Sequence, residues 1–160
     1  MIPSHSAEGL LPHGRHTASV VEIEQRFVNT FPTSLTRRSL LDGWRRRSEE
    51  LKSIVDIESE WIDGSFVTTK RDPRDIDMTT FVLMESWNAL DVASRQRVAL
   101  LTQGPELKIQ FGCDSYLIII PPDGDPSEAN YLYWRGYWDR QWSRARSGSP
   151  KGYVEVRELR

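Results

Sequence analysis

Apolar and polar positions recur with two different periods along this chain, and each change of period marks an element. Val20, Ile23, Phe27 and Val28 repeat at helical spacing behind Ser19 and Glu22, which have the spacing of a capping box, so a helix is expected there. "FPTS" breaks it. Ser34 or Thr36 can cap a second helix through "LTRRSLLDGWRRRSEELKSI", with Leu40, Leu41, Trp44, Leu51 and Ile54 as its apolar stripe. On that helix the run Arg45–Arg47 reads as a solvated face. "ESEWIDG" reads as a short strand ending at Gly64, and "DIDMTTFVLM" turns β-rich after Asp77. "DVASRQRVALLTQ" predicts a helix capped near Asp91, and "GCDSYLIIIPP" an apolar strand stopped by two prolines. "DPSEANYLYWRGYW" predicts a helix with Asp125 as cap and Pro126 at its first position. "SGSPKGYVEVREL" predicts a turn and then an alternating strand.

Two leading helices followed by strands with intervening helices indicate α+β or α/β, and the expectation is α+β with a mixed β-sheet and flanking helices. Residues 1–17, rich in Pro, Gly, His and Ser, read as an irregular N-terminal arm ahead of a single domain at 18–160. The arm holds all three histidines, at a spacing that is poor for zinc. A length of 160 residues suits one domain with its own core. Net charge is −2, so an anionic partner needs a local basic patch rather than a global field. A lone cysteine, Cys113, excludes an internal disulfide and reads as a small core residue. With no stretch of membrane-span length and no signal-like start, the expectation is a cytoplasmic protein without membrane contact.

The candidate chemistry lies in "DGSFVTTKRDPRDIDM", residues 63–78. On a strand, residues i and i+2 point the same way, so Asp75 and Asp77 present two carboxylates on one side. Two like charges so close raise each other's pKa unless a cation sits between them, and Mg²⁺ is satisfied by one or two carboxylates plus phosphate oxygens and waters. Ahead of the pair, Gly64 allows close backbone approach and Ser65 offers a hydroxyl and an N–H. Lys70, Arg71 and Arg74 can balance phosphate charge.

"GSFVTTKRDPRDID" resembles the nucleotidyltransferase signature of the DNA polymerase β superfamily: Gly-Ser, a loop of roughly ten residues, then Asp-x-Asp. It is similar above all to the minimal bacterial members. It is closer still to an uncharacterised bacterial family reading GSFVT-K-x-x-P-x-DID with a later YWRG and a terminal KG-aliphatic strand, here "YWRGYW" and "KGYVEVREL". The resemblance implies a nucleotidyltransferase-like fold of the polymerase β palm type with two N-terminal helices. It implies a third metal-ligating carboxylate, for which Asp114 is the candidate, with two Mg²⁺ ions (or Mn²⁺) held by Asp75, Asp77 and Asp114. Gly64, Ser65, Lys70, Arg71, Arg135 and Lys151 would then bind nucleotide. The implied activity is transfer of a nucleoside monophosphate from a nucleoside triphosphate to a protein or RNA acceptor. The alternative is a non-catalytic module of the same fold, antitoxin-like or RNA-binding, with a partner chain. Phe66-Val67 after Gly-Ser and the lack of an acceptor-holding second domain depart from the larger members.

The segment from Tyr131 carries six aromatic residues interleaved with basic ones, and residues 131–160 hold seven Arg or Lys against three acids. The aromatics are expected to bury one face on the sheet more than to stack on bases, while the cations suit a phosphate-rich ligand.

Overall fold

The protein, described at residues 1–157 in a computed structural model, is α+β with an open, mixed five-stranded sheet and six α-helices. In chain order these are β1 (Gly14–Thr17), α1 (Val20–Glu24, continued by a π turn at Gln25–Asn29), α2 (Arg37–Lys52), β2 (Ile57–Asp63), β3 (Ile76–Leu83), α3 (Met84–Ala89), α4 (Val92–Leu100), α5 (Lys108–Phe111), β4 (Cys113–Ile120), α6 (Glu128–Trp142) and β5 (Gly152–Val156). The sheet runs β1-β5-β2-β3-β4. Its outer pairs, β1 with β5 and β3 with β4, are parallel, and β2 is antiparallel to both its neighbours. The strand predicted through residues 158–159 and the last domain residues, 158–160, lie outside the described residues.

Each leading helix starts as its local chemistry dictates. Ser19 and Glu22 close a reciprocal capping box on α1. At α2 the Ser34 hydroxyl accepts from the N–H groups of Thr36 and Arg37. The apolar stripes of both helices, Ile23, Phe27, Leu40, Leu41, Trp44 and Leu51, are buried against Ile62, Met78, Val82, Val154 and Val156 of the sheet. The opposite face carries a smaller cluster of Trp61, Phe81, Ile118 and Tyr153, covered by Tyr131, Trp138 and Trp142 of α6. Burial of both faces explains why β5 is buried throughout instead of alternating. Cys113 is a buried core thiol, and burial pushes it up to about 12.

Three expectations change. The arm read as irregular ends in a strand, because β5 offers Gly14–Thr17 a parallel partner that no local pattern announces. α6 starts at Glu128, since Asp125 turns its carboxylate onto the Ser127 N–H and hydroxyl and caps a preceding turn. Arg45–Arg47 is a solvated face only at Arg46. Arg45 pairs with Glu24, and Arg47 is fully buried. Arg47 is paired there with Glu60 and bonded to the Leu101 carbonyl at 3.0 Å, Thr80 Oγ1 at 2.9 Å and Ser115 Oγ at 2.6 Å. Glu60 also accepts from Trp44 Nε1 at 2.8 Å and Ser48 Oγ at 3.0 Å. Every polar group of this buried pair therefore has a partner, which is the condition for placing charges in a core.

Candidate cation and phosphate site

Register gathers the carboxylates. Asp63, the last residue of β2, pairs with Asp77 on β3, and Asp77 pairs with Asp114 on β4. The three aspartates thus form a row across neighbouring strands about 4.8 Å apart, on the sheet face that α6 partly covers. Asp75 stands just ahead of β3 at the same corner, where the Lys108 ammonium bridges Asp75 Oδ2 at 2.8 Å and Asp114 Oδ2 at 2.9 Å. At the other end of the row Lys151, almost wholly buried, is paired with Asp63.

Four carboxylates and two ammonium groups leave this corner with two uncompensated negative charges when all are ionised. The strain falls on Asp77, which neither lysine contacts directly among the described residues. Burial, then the charges of Asp75 and Asp114, push its carboxyl up to about 6. Burial also pushes the Asp63 carboxyl up, with the Lys151 ammonium pulling the other way. Asp114 is buried, and among the described residues its Oδ1 has no hydrogen-bond partner.

The local backbone is built for this crowding. Gly64 turns the chain at φ +77°, and a Cβ there would overlap Asp77 Oδ2. The loop that follows is pinned from within by buried Arg37. Its guanidinium donates to the carbonyls of Phe66, Thr68, Lys70 and Arg71 at 2.6, 2.7, 2.6 and 3.2 Å, and to that of Phe27 at 2.8 Å. With the carbonyls drawn inward, the side chains of Lys70, Arg71 and Arg74 are exposed. Gly43 of α2 lets that helix approach α5 so closely that a Cβ would overlap the Phe111 carbonyl oxygen. This contact seats the short helix that carries Lys108.

The predicted residues therefore divide. Asp75, Asp77, Asp114, Gly64 and Ser65 come together at one corner. Lys70 and Arg71 lie on the adjoining loop, with Arg71 paired to Asp72. Lys151 reaches the row, but its ammonium is committed to Asp63 instead of lying free for a phosphate. Arg135 lies over the Trp61 ring at 5.7 Å, two residues along β2 from Asp63. Sequence reasoning missed Asp63, Lys108 and Arg37. Only the residue before Gly64 carried a signal, since the end of one strand of a hairpin faces the start of the next.

The residues fit a divalent cation in donor chemistry: hard oxygen donors, excess negative charge and an unpartnered buried oxygen. Among the described residues no three acidic, histidine or cysteine side chains are drawn together as a ready ligand set. Two of the three expected ligands close on Lys108 instead. No helix among the described residues is long and apolar enough to cross a membrane.

A family model described as a family of unknown function, DUF6932, matches residues 3–157. No curated protein and no solved structure matches the chain.

Proposed function

For this chain, which belongs to the DUF6932 family, we propose a Mg²⁺-dependent nucleotidyltransferase that moves a nucleoside monophosphate from a nucleoside triphosphate to a protein or RNA acceptor. The observation that carries the reading is the row Asp63–Asp77–Asp114, with Asp75 beside it and Gly64-Ser65 at its end. The antiparallel β2–β3 pair with the Gly-Ser turn between its strands, and an acidic parallel neighbour in β4, support a nucleotidyltransferase-like arrangement of the palm type.

Asp75, Asp77 and Asp114 would hold the Mg²⁺ ions, which when bound supply charge neutralisation for a polyphosphate. The protein's own part is positioning and electrostatics. Ser65 and the backbone beside Gly64 would orient phosphate oxygens, and Lys70 and Arg71 would screen them from the loop. The acceptor hydroxyl oxygen forms a bond to the α-phosphorus as the bridging α–β P–O bond breaks, and pyrophosphate leaves with that electron pair. The hydroxyl proton would pass to the Asp114 carboxylate.

The second reading, a non-catalytic module, is favoured by one observation: Lys108 and Lys151 already neutralise part of the row. One experiment separates the two. Wild type and Asp75→Asn are incubated with each of the four labelled nucleoside triphosphates, Mg²⁺ and a cell lysate. The expected outcome is a labelled acceptor with wild type only, together with a Mg²⁺-dependent rise in melting temperature that the variant loses. Equal labelling by Asp75→Asn would overturn the mechanism. A triphosphate-induced melting shift without any transfer would favour the module.

A further inference from the structure

Among the described residues Lys108 makes ion pairs with two of the expected ligands, and its position bears on how a cation would enter. Its Nζ lies 2.8 Å from Asp75 Oδ2 and 2.9 Å from Asp114 Oδ2, so the ammonium sits on oxygens that a divalent cation would need. Among the described residues the other oxygen of Asp114 is buried and has no hydrogen-bond partner. Asp77, next in the row, makes no direct ion pair among the described residues.

We infer that Lys108 is a tethered counter-ion that competes with a divalent cation for Asp75 and Asp114, and that its side chain is displaced when the cation binds. This rests on the cation site proposed above. The residue is mounted for such an exchange. Its backbone is fixed, because Leu107 and Phe111 on either side are buried and Gly43 lets α2 press on the Phe111 carbonyl. Its side chain, in contrast, is 38% exposed on a flexible four-carbon stem. Displacement then needs only a change of rotamer toward solvent, with no movement of α5. The two occupants differ in charge. With Lys108 and Lys151 both in place the corner is two charges short of neutrality, and a divalent ion in place of the Lys108 ammonium reduces that deficit to one. Lys151 cannot play the same part, since it is buried against Asp63 and has no comparable route to solvent.

Calorimetric titration with Mn²⁺ at fixed ionic strength tests this on wild type, Lys108→Met and Lys108→Arg, with Lys108→Gln in parallel. Removing the charge is expected to tighten Mn²⁺ binding about tenfold or more, the scale of one unit charge at contact distance in a partly exposed site. Lys108→Arg, which keeps the charge, is expected to stay within about twofold of wild type. In chelator, Lys108→Met and Lys108→Gln are expected to melt below wild type and to regain the loss when Mn²⁺ is added. Unchanged or weaker Mn²⁺ binding by both neutral variants, with wild type still binding, would overturn the competition and leave the cation site standing. Tightening by Lys108→Arg equal to that of Lys108→Met would overturn it as well. Absence of Mn²⁺ binding by every protein at millimolar concentration would remove the cation site itself, and this inference with it.

Discussion

Asp77 shows how a single side chain records the tension of the whole corner. Burial and the neighbouring carboxylates push its carboxyl up from the ordinary 3.8 to about 6. A raised acid binds more protons folded than unfolded, so stability falls as pH climbs through that window and the cost is complete above it. Asp77→Asn removes the cost. In chelator at pH 7.5 it is expected to stabilise the protein by roughly 1–2 kcal/mol, a melting temperature a few degrees higher. The advantage should shrink steadily toward pH 4, where both forms of the protein carry a neutral side chain. A melting temperature for Asp77→Asn at or below wild type at pH 7.5 would contradict this account. Asp75 and Asp77 were legible in sequence from their i, i+2 spacing, although Asp75 stands just ahead of β3 and only Asp77 lies on the strand. Asp114 was suggested by resemblance, and only the parallel register brings it beside Asp77. Asp63 carried only the weak signal of its place at a strand end, and Lys108 none, because their contacts depend on cross-strand register and on the seating of α5.

At the scale of elements, α2 is an apolar stripe that also carries two internal arginines. Arg37 pins the loop between β2 and β3, and Arg47 pins the sheet from behind at Glu60, Thr80 and Ser115. Ser115 directly follows Asp114, so this buried network braces β4 where it bears the row. Arg47→Met should cost about 3–5 kcal/mol, because Glu60 then stays buried without its counter-charge. Arg47→Met combined with Glu60→Gln should recover a large part of that loss. Denaturant melts of the single and double variants measure both, and an additive double variant would show that the pair is not coupled. Periodicity located α2 and its stripe. It could not tell Arg47 from Arg46, since one residue turns the side chain by about 100° and only the packed partner decides which is inside. The aromatic run of α6 was read correctly in kind: Tyr131, Trp138 and Trp142 pack on the sheet, with Trp142 Nε1 donating to Thr79 Oγ1 at 3.0 Å. Tyr133 and Trp134 remain exposed.

For the whole molecule, the order of periodic segments left α+β or α/β, of which the structure is α+β, while strand order had no local signature. The sheet's arrangement is set by a pairing between distant segments: β5 lies between β1 and β2, bonded to residues about 90 and 140 positions earlier in the chain. That topology has a consequence for the order of events on the ribosome. Until residues 151–156 leave the exit tunnel, β1 has nothing to pair with, β2 presents a bare edge, and Asp63 is deprived of Lys151. Pairings of such long range come late in folding, and unpaired edges are prone to self-association while they wait. Nascent chains stalled with residue 150 at the tunnel mouth should therefore be cleaved by a pulse of protease. Chains extended by a linker that releases Gly152–Val156 should resist it, and equal resistance at both lengths would mean that the sheet closes without its last strand.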